Sequence, residues 1–374
     1  MRKTIILILA TLLIVSGISV AQADQTCKAY CVLSPQTSET ISQFQSDESF
    51  GVAGLSKLPA ILTLCRAVDR DLFSPDATVK VGMRAATIGG PSAYLKASEE
   101  IKADELLRAA VMISAGDAIW ALMDHAFGSE EVFRQNITLT LKEIGIDHEM
   151  QQALGTEDRF SCRELALLGQ AALNSNTFLR YCSEKYAVLK HADGRETELA
   201  NANKLLTSLS GCIGLLTGSS KTDGYCGVFA CKRKDTTYIC TMVGAQNSKA
   251  RFEIVTQLIE EAFANHTVYT LTSLDTPVLA DYPVLGGDTD KVDLYTEETV
   301  ALLLRKSEGE PKPQFDLPEM LEAPLDPAFS VGTVSFVDAN GSVLYELALY
   351  PEKPVSATGF KEILKRILKT YVSG

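Results

Sequence analysis

The sequence predicts an α+β fold, with helices gathered beside an antiparallel sheet in a larger domain and a small all-β domain after it. Apolar residues recur at helical spacing in Leu58 to Val68, Ala103 to Phe127 and Phe252 to Phe263. A hairpin-like pair of segments, Tyr225 to Lys232 and Thr237 to Ala245, predicts two antiparallel strands. Helical and strand patterns in one stretch of chain therefore indicate mixed rather than all-α or all-β architecture.

The β-domain is predicted from a change of pattern at Val268, beyond which short strands replace long helices. The clearest strands are Thr333 to Val337 and Val343 to Leu349, joined by a turn that contains Asn340-Gly341. We therefore assign residues 24–266 to the larger domain, 267–352 to the β-domain and 353–374 to a terminal helix.

The N-terminus has the three parts of a secretory signal peptide. A charged start at Met1-Arg2-Lys3 precedes an apolar run from Ile5 to Val15 and a small-residue cleavage site at Ala21-Gln22-Ala23. The apolar run is too short to span a membrane. We expect residues 1–23 to be removed and the chain to be exported, as a periplasmic or extracellular protein of the cell envelope.

The C-terminus, Phe360 to Val372, has apolar residues on one helical face and Lys361, Lys365, Arg366 and Lys369 on the other. Such a helix can pack on the β-domain or lie on an anionic membrane surface. Its basic face in an otherwise acidic chain favours peripheral contact with the outer face of the cytoplasmic membrane.

Composition excludes several classes of function. A net charge of −12 argues against a general nucleic-acid-binding surface. The nine cysteines fit neither a Cys-x-x-Cys redox site nor a zinc ligand set, and no disulfide can be assigned from their spacing. The four histidines are dispersed, and Gly218 to Thr222 lacks the glycine that a phosphate loop places before its lysine. We therefore predict no metal and no cofactor.

Several segments, in the same order and at similar intervals, resemble low-molecular-mass penicillin-binding proteins, the D-alanyl-D-alanine carboxypeptidases. They are Ala86 to Lys96, Ser114 to Ala118 with Gly128 to Glu131, Asn201 to Leu206, Leu216-Thr217-Gly218 with Gly224 to Cys226, Gly286-Gly287, and Ala323-Pro324 to Gly332. The resemblance covers nearly the whole mature chain. It implies a β-lactamase- or transpeptidase-like first domain and the C-terminal β-domain of this family.

The family's chemistry depends on three short elements, Ser-x-x-Lys, Ser-x-Asn and Lys-Thr-Gly. A serine and a lysine three residues apart on a helix share one face, so the lysine amine can accept the hydroxyl proton and make the oxygen nucleophilic. The resemblance implies that the other two elements supply a proton-shuttling serine, an amide for the substrate backbone and a cation for its terminal carboxylate.

The first element here is Gly54-Leu55-Ser56-Lys57, so the resemblance implies a retained lysine, Lys57, and a vacant nucleophile position at Gly54. The second is Ser114-Ala115-Gly116, which keeps Ser114 and replaces the asparagine with Gly116. The third, Leu216-Thr217-Gly218, replaces the lysine with Leu216. All three catalytic elements are therefore altered.

Two further residues bear on the site. Ser56 lies about 200° around a helix from Gly54, so its hydroxyl is expected to point away from the cleft. Arg251 matches a position that the family often fills with an arginine near the substrate carboxylate. Its alternative is a surface arginine at the start of a helix. With Lys57, Thr217 and the strand beginning at Gly218, it would complete a peptide-binding cleft.

We therefore predict a non-catalytic protein that binds peptidoglycan stem peptides, muropeptides or a cell-wall enzyme. The alternative is an active or weakly active serine-type D-Ala-D-Ala carboxypeptidase in peptidoglycan maturation. A third hypothesis assigns partner binding to the β-domain and leaves the cleft idle. An open polar cleft would favour the first hypothesis, and a filled cleft would favour the third.

Overall fold

The computed structural model describes residues 26–359 of the chain, which divide into two compact units between Phe263 and Ala264. This division lies close to residue 266, where the change of sequence pattern places the end of the larger domain. The predicted signal peptide, residues 1–23, and the predicted helix from Phe360 to Val372 lie outside the described residues.

The first unit combines helices with an antiparallel sheet. Its helices are α1 Leu58–Asp69, α2 Ala103–Ile113, α3 Gly116–Phe127, α4 Glu130–Glu143, α5 Cys162–Leu173, α6 Asn176–Cys182, α7 Leu205–Ser208 and α8 Ser248–Asn265, whose last two residues fall beyond the division. Its strands are β1 Ala29–Leu33, β2 Thr40–Phe44, β3 Phe50–Gly51, β4 Thr78–Lys80, β5 Glu100–Lys102, β6 Arg159–Phe160, β7 Tyr186–Lys190, β8 Glu196–Ala200, β9 Cys212–Ser220, β10 Gly224–Arg233 and β11 Thr236–Ala245.

The main sheet of this unit has the order β2-β1-β11-β10-β9, so β9 is an edge strand. The predicted hairpin is confirmed as β10 and β11, whose residues pair in antiparallel register from Arg233↔Thr236 onward. Helix α5 packs on the sheet, and a side chain on Gly169 would come within 2.9 Å of Val228. Ser161 and Glu164 form a capping box that fixes where this helix begins.

The predicted helix from Ala103 to Phe127 is wrong as a single element, because the chain forms two helices separated at Ser114. Ser114 has a φ of 54°, in the left-handed region, and ends α2. Its carbonyl accepts a hydrogen bond from Nζ of Lys57 at 2.9 Å. The apolar spacing continues through the break, so periodicity alone did not reveal it.

The second unit is all β within its described part, apart from the end of α8 and a short 3-10 helix at Lys306–Glu308. Its strands are β12 His266–Thr272, β13 Leu279–Leu285, β14 Lys291–Tyr295, β15 Val300–Arg305, β16 Lys312–Asp316, β17 Leu321–Glu322, β18 Gly332–Val337 and β19 Val343–Pro351.

The predicted strands around the Asn-Gly turn are confirmed as β18 and β19, which pair antiparallel in a sheet of order β16-β18-β19-β14-β13-β17. In the turn, Gly341 has a φ of 84°, and the Asp338 carboxylate accepts from the amides of Asn340 and Ser342, each at 2.8 Å. The α+β fold class is therefore confirmed. No helix within residues 26–359 is both long and apolar enough to cross a membrane.

Candidate functional site

A cavity of about 710 Å³ opens in the first unit and gathers most of the predicted site residues. The predicted residues that line it are Gly54, Lys57, Ser114, Thr217, Gly218 and Arg251. They come from the segment before α1, the break between α2 and α3, the edge strand β9 and helix α8. Residues far apart in sequence therefore share one cleft, as the resemblance implies.

Gly54 and Lys57 lie on a 3-10 helix, Ala53–Lys57, that leads directly into α1. Residues three apart eclipse each other in a 3-10 helix, so position 54 and the lysine share a face. Lys57 is only 7 % exposed, and burial lowers the pKa of its amine, an effect that the nearby Asp117 carboxylate partly offsets. With a lowered pKa, more of this amine is unprotonated near neutral pH than in a surface lysine, and only the unprotonated amine can act as a base.

Position 54 packs closely on the edge strand. A side chain built on Gly218 would come within 2.7 Å of the Gly54 nitrogen and 3.0 Å of the Leu55 nitrogen, so only glycine fits there. The reverse substitution meets no such barrier, because a Cβ on Gly54 would have Gly218 Cα at 3.6 Å as its nearest neighbour. The site therefore has room for a side chain at position 54 and carries none.

Gly116 lies beside the cavity rather than in its wall. A Cβ at this position would come within 2.7 Å of Cγ2 of Ile88 and 3.4 Å of Nζ of Lys57. The Ile88 side chain thus occupies the space that a larger residue at position 116 would need.

Leu216 also lies outside the cavity wall. It is 2 % exposed and belongs to the hydrophobic core of the first unit, whereas its neighbours Thr217 and Gly218 line the cavity. Gly214, Leu215 and Leu216 are buried in succession, so β9 passes from the core to the cavity wall between Leu216 and Thr217.

Arg251 is 4 % exposed, so the alternative of a surface arginine is excluded by its burial. Its Nη1 donates to the carbonyls of Gly218 at 3.1 Å and Cys226 at 3.0 Å, and its guanidinium lies 4.5 Å from the centre of the Phe252 ring. Its buried Nε has no hydrogen-bond partner among the described residues. Burial lowers its pKa, and an anion placed beside it in the cavity would be stabilised by both charge and hydrogen bonding.

Comparison with known proteins shows to which family the chain belongs. The sequence model of the D-alanyl-D-alanine carboxypeptidase family matches residues 16–247. The chain belongs to this family. It is 23 % identical over 358 residues to the D-alanyl-D-alanine carboxypeptidase DacF of Bacillus subtilis, covering 94 % of this chain and 92 % of that protein. It is 25 % identical over 348 residues to DacC of Escherichia coli, covering 89 % and 85 %.

Solved structures of penicillin-binding proteins have the same fold. Penicillin binding protein 5 of Haemophilus influenzae aligns with a TM-score of 0.71 at 19 % identity, covering 88 % of this chain and 98 % of that one. Penicillin binding protein 6B of Escherichia coli aligns with a TM-score of 0.70 at 20 % identity, covering 87 % and 95 %. The likeness spans both units and supports the fold class predicted from sequence.

Sequence reasoning assigned no role to Asp117, which shapes the cleft of this carboxypeptidase-family chain. The buried carboxylate accepts from Ser92 Oγ at 2.7 Å and from the amides of Ala93, Leu95 and Ala118 at 2.9, 3.1 and 2.9 Å. It thereby anchors the chain that follows the cavity-lining residues 89–91. An acidic residue in the first turn of a helix is the sequence signal that could have singled it out.

Asp223 is a second residue that the sequence did not single out. Its Oδ2 accepts from the amide of Ala53 at 3.2 Å and from Ser220 Oγ at 2.9 Å, which ties the hairpin between β9 and β10 to the 3-10 helix. A side chain on Gly51 would collide with this carboxylate. Asp223 lines the cavity together with Glu157 and Asp158, so the wall carries carboxylates as well as the buried cations Lys57 and Arg251.

Ser56 lies on the same 3-10 helix and is among the residues that line the cavity, and its hydroxyl donates to the carbonyl of Leu154 at 3.4 Å. The hydroxyl is therefore engaged by the segment before β6 rather than by the lysine amine. Among residues 26–359, no group of three His, Cys, Asp or Glu side chains is arranged to hold a metal ion.

Proposed function

We propose that this chain is an exported cell-envelope protein that binds the stem peptide of peptidoglycan, or a muropeptide that carries it, without hydrolysing it. The observation that carries the proposal is the absence of a side chain at Gly54, on the face shared with Lys57 and open to the cavity. Acyl transfer by a serine peptidase needs a side-chain oxygen to attack the carbonyl. Position 54 offers none.

The expected ligand is a peptide that ends in D-Ala-D-Ala, because the relatives from Bacillus subtilis and Escherichia coli are named as D-alanyl-D-alanine carboxypeptidases. Arg251 would receive the terminal carboxylate, since it is a buried cation in the cavity wall. The guanidinium fork suits a carboxylate geometrically.

The ligand backbone would add to the sheet. β9 pairs with β10 on one side only, and its residues Thr217 and Gly218 line the cavity. An extended peptide can pair with the free edge of such a strand through main-chain hydrogen bonds, which do not depend on a catalytic serine. Peptide binding can therefore persist although hydrolysis is lost.

The alternative, a weakly active carboxypeptidase, is favoured by the retention of Lys57 and Ser114 in the cavity wall. Against it, Gly116 and Leu216 have lost the amide and the cation that the family resemblance implies, and the Ser56 hydroxyl is bonded to Leu154. A β-domain function with an idle cleft is disfavoured because the cavity is open and carries polar groups.

The cellular setting belongs to the same proposal. Residues 1–23 would direct export, and the segment from Phe360 to Val372 would hold the protein peripherally on the outer face of the cytoplasmic membrane. A cell-wall enzyme is a second candidate partner, recruited to the bound peptide.

The deciding experiment is a calorimetric titration of the mature chain with an acylated peptide ending in D-Ala-D-Ala, with released D-alanine quantified in the same samples. We expect saturable binding and no release. A matched peptide ending in L-Ala-L-Ala is the control and should bind more weakly. Release of D-alanine would establish the weakly active alternative, and absence of both binding and release would favour the idle cleft.

A further inference from the structure

Two cysteines face each other on neighbouring strands of the first unit, away from the groups of the cleft. Cys212 begins β9 and pairs with Cys231 of β10 in the antiparallel ladder, next to the point where the register shifts between Ala230 and Cys231. One residue beyond the pair on each strand, the amide of Lys232 donates to the carbonyl of Gly211 at 2.8 Å. This pattern makes the cysteines a non-hydrogen-bonded pair, the type whose Cα atoms are about 4.5 Å apart and whose side chains are closest.

Regular pairs of this type fall within the range of disulfides, since bridged cysteines usually have Cα atoms about 4.4–6.8 Å apart. Gly211 secures the close approach, because a side chain at this position would collide with the carbonyl of Lys232. The two thiols also interact, since Cys231 lowers the pKa of Cys212 and Cys212 raises the pKa of Cys231. We propose that Cys212 and Cys231 form a cross-strand disulfide when the folded chain meets a small disulfide or an oxidised dithiol protein.

The structure also gives the order of the two steps. Cys212 is partly exposed, whereas Cys231 is buried. The hydrogen bond from Cys231 lowers the pKa of Cys212, although burial opposes it, and the same contact together with burial raises the pKa of Cys231. Because the thiolate is the nucleophile, Cys212 reacts first.

The exchange balances in atoms and electrons. The Cys212 thiolate attacks one sulfur of the oxidant and releases the other as a thiol, which leaves a mixed disulfide on Cys212. The Cys231 sulfur, having lost its proton, then attacks Cys212 and releases the second thiol. The protein loses two electrons and two protons, and the oxidant's disulfide is reduced to two thiols.

Cys182 of α6 is a competing thiol, because its Sγ contacts the backbone of Ile213, the residue that follows Cys212. Its Sγ donates to the carbonyls of Leu179 at 3.8 Å and Ile213 at 3.7 Å, and burial raises its pKa to about 11. It is therefore a protonated, engaged thiol at neutral pH, which makes it a matched control. The bridge would pin the first residue of β9, the strand that also carries Thr217 and Gly218.

The test compares the purified mature chain after incubation with glutathione disulfide or with dithiothreitol. Both samples are denatured, alkylated and digested, and the peptides are analysed by mass spectrometry. Of the nine cysteines, we expect two fewer to be alkylated after oxidation, and one cross-linked peptide pair joining Cys212 to Cys231. The Cys182→Ala variant should give the same pair, whereas Cys231→Ser should leave Cys212 as a mixed disulfide with glutathione.

Complete alkylation of all cysteines in the oxidised parent, or a link from Cys212 to Cys182, would overturn the proposal. The parent alone decides this point, so poor folding of a variant does not obscure the answer. The measurement uses no cleft ligand, so its outcome is independent of whether peptide binding is found.

Discussion

Replacing Gly54 with serine should restore acylation by β-lactams while leaving the fold intact. The new Cβ would have Gly218 Cα at 3.6 Å as its nearest neighbour, an ordinary van der Waals contact, and Gly54 is not among the glycines with positive φ. Steric cost is therefore small. Because serine has less backbone freedom than glycine, the substitution lowers the conformational entropy of the unfolded chain. This should stabilise the fold by about 0.4–1 kcal/mol, provided that the backbone stays unstrained.

The matched control is the other glycine of this contact. Gly218→Ala would place its Cβ 2.7 Å from the Gly54 nitrogen and 3.0 Å from the Leu55 nitrogen, both of them backbone atoms. Overpacking of this kind costs about 1–3 kcal/mol. The midpoint temperature of thermal unfolding should therefore rise for Gly54→Ser and fall for Gly218→Ala, relative to the parent.

The increase in acylation rate expected of Gly54→Ser also has an upper limit. In another serine hydrolase, removal of the nucleophile costs about a millionfold in kcat, which sets the upper limit of what serine at position 54 can return. Gly116 and Leu216 still lack their polar contacts, and hydrogen bonds to charged groups contribute about 1.5–3 kcal/mol each. Acylation should thus be detectable but slower than in a family member with all three elements.

The assay is incubation of the mature parent, Gly54→Ser and Gly54→Ala with fluorescent penicillin, followed by gel fluorescence and mapping of the acylated peptide. Label is expected only in Gly54→Ser, on the peptide that contains residue 54. Label in the parent would refute the claim that the missing oxygen blocks chemistry. A folded but unlabelled Gly54→Ser would refute the prediction that restoring this oxygen is enough for acylation.

Four further outcomes are expected. The rate of acylation of Gly54→Ser should rise with pH, because the deprotonated amine of Lys57 is the base. Since burial lowers the pKa of Lys57, the rate should reach half its maximum below the ordinary lysine pKa of about 10.4. A half-maximum at about 10.4 in the pH–rate profile would contradict this. Leu216→Ala should lower the free energy of unfolding by about 2–5 kcal/mol in urea titrations, because the side chain is 2 % exposed in the core, and a loss below about 1 kcal/mol would argue against its placement. In the Arg251→Met variant, the binding free energy of the free-carboxylate peptide, measured by calorimetry, should be weaker by about 2–5 kcal/mol. The variant should also lose the preference that the parent shows for this peptide over its amidated form. Asp117→Asn should cost about 1–3 kcal/mol in urea titrations, since an amide cannot accept all the hydrogen bonds that this carboxylate receives; an unchanged unfolding midpoint would count against its anchoring role.

The sequence located the elements whose pattern is local. The hairpin of β10 and β11 follows from two adjacent strand-like segments, and the turn before β19 follows from Asn340-Gly341, since both signals depend on residues that are neighbours in the chain. Spacing also placed α1 and the centre of α8 correctly. The break at Ser114 was missed because its left-handed backbone leaves the apolar spacing on either side unchanged.

The candidate site, too, could be predicted from the sequence only in part. Order and spacing of the motifs were enough to gather Gly54, Lys57, Ser114 and Thr217, and the structure brings these residues to one cavity. Spacing could not reveal that Ile88 occupies the space beside Gly116, because that contact joins separate segments. Nor could it reveal that Arg251 is buried.

The sequence by itself determined the α+β class, the family likeness and the lack of a side chain at position 54, because each is written in residue type and local order. Tertiary structure alone decided that the cleft stays open, that Asp117 anchors the segment at its edge, and that Cys212 meets Cys231. These features depend on strand register and on contacts between distant segments. Local pattern constrains neither, because the same alternation of residues is compatible with several registers.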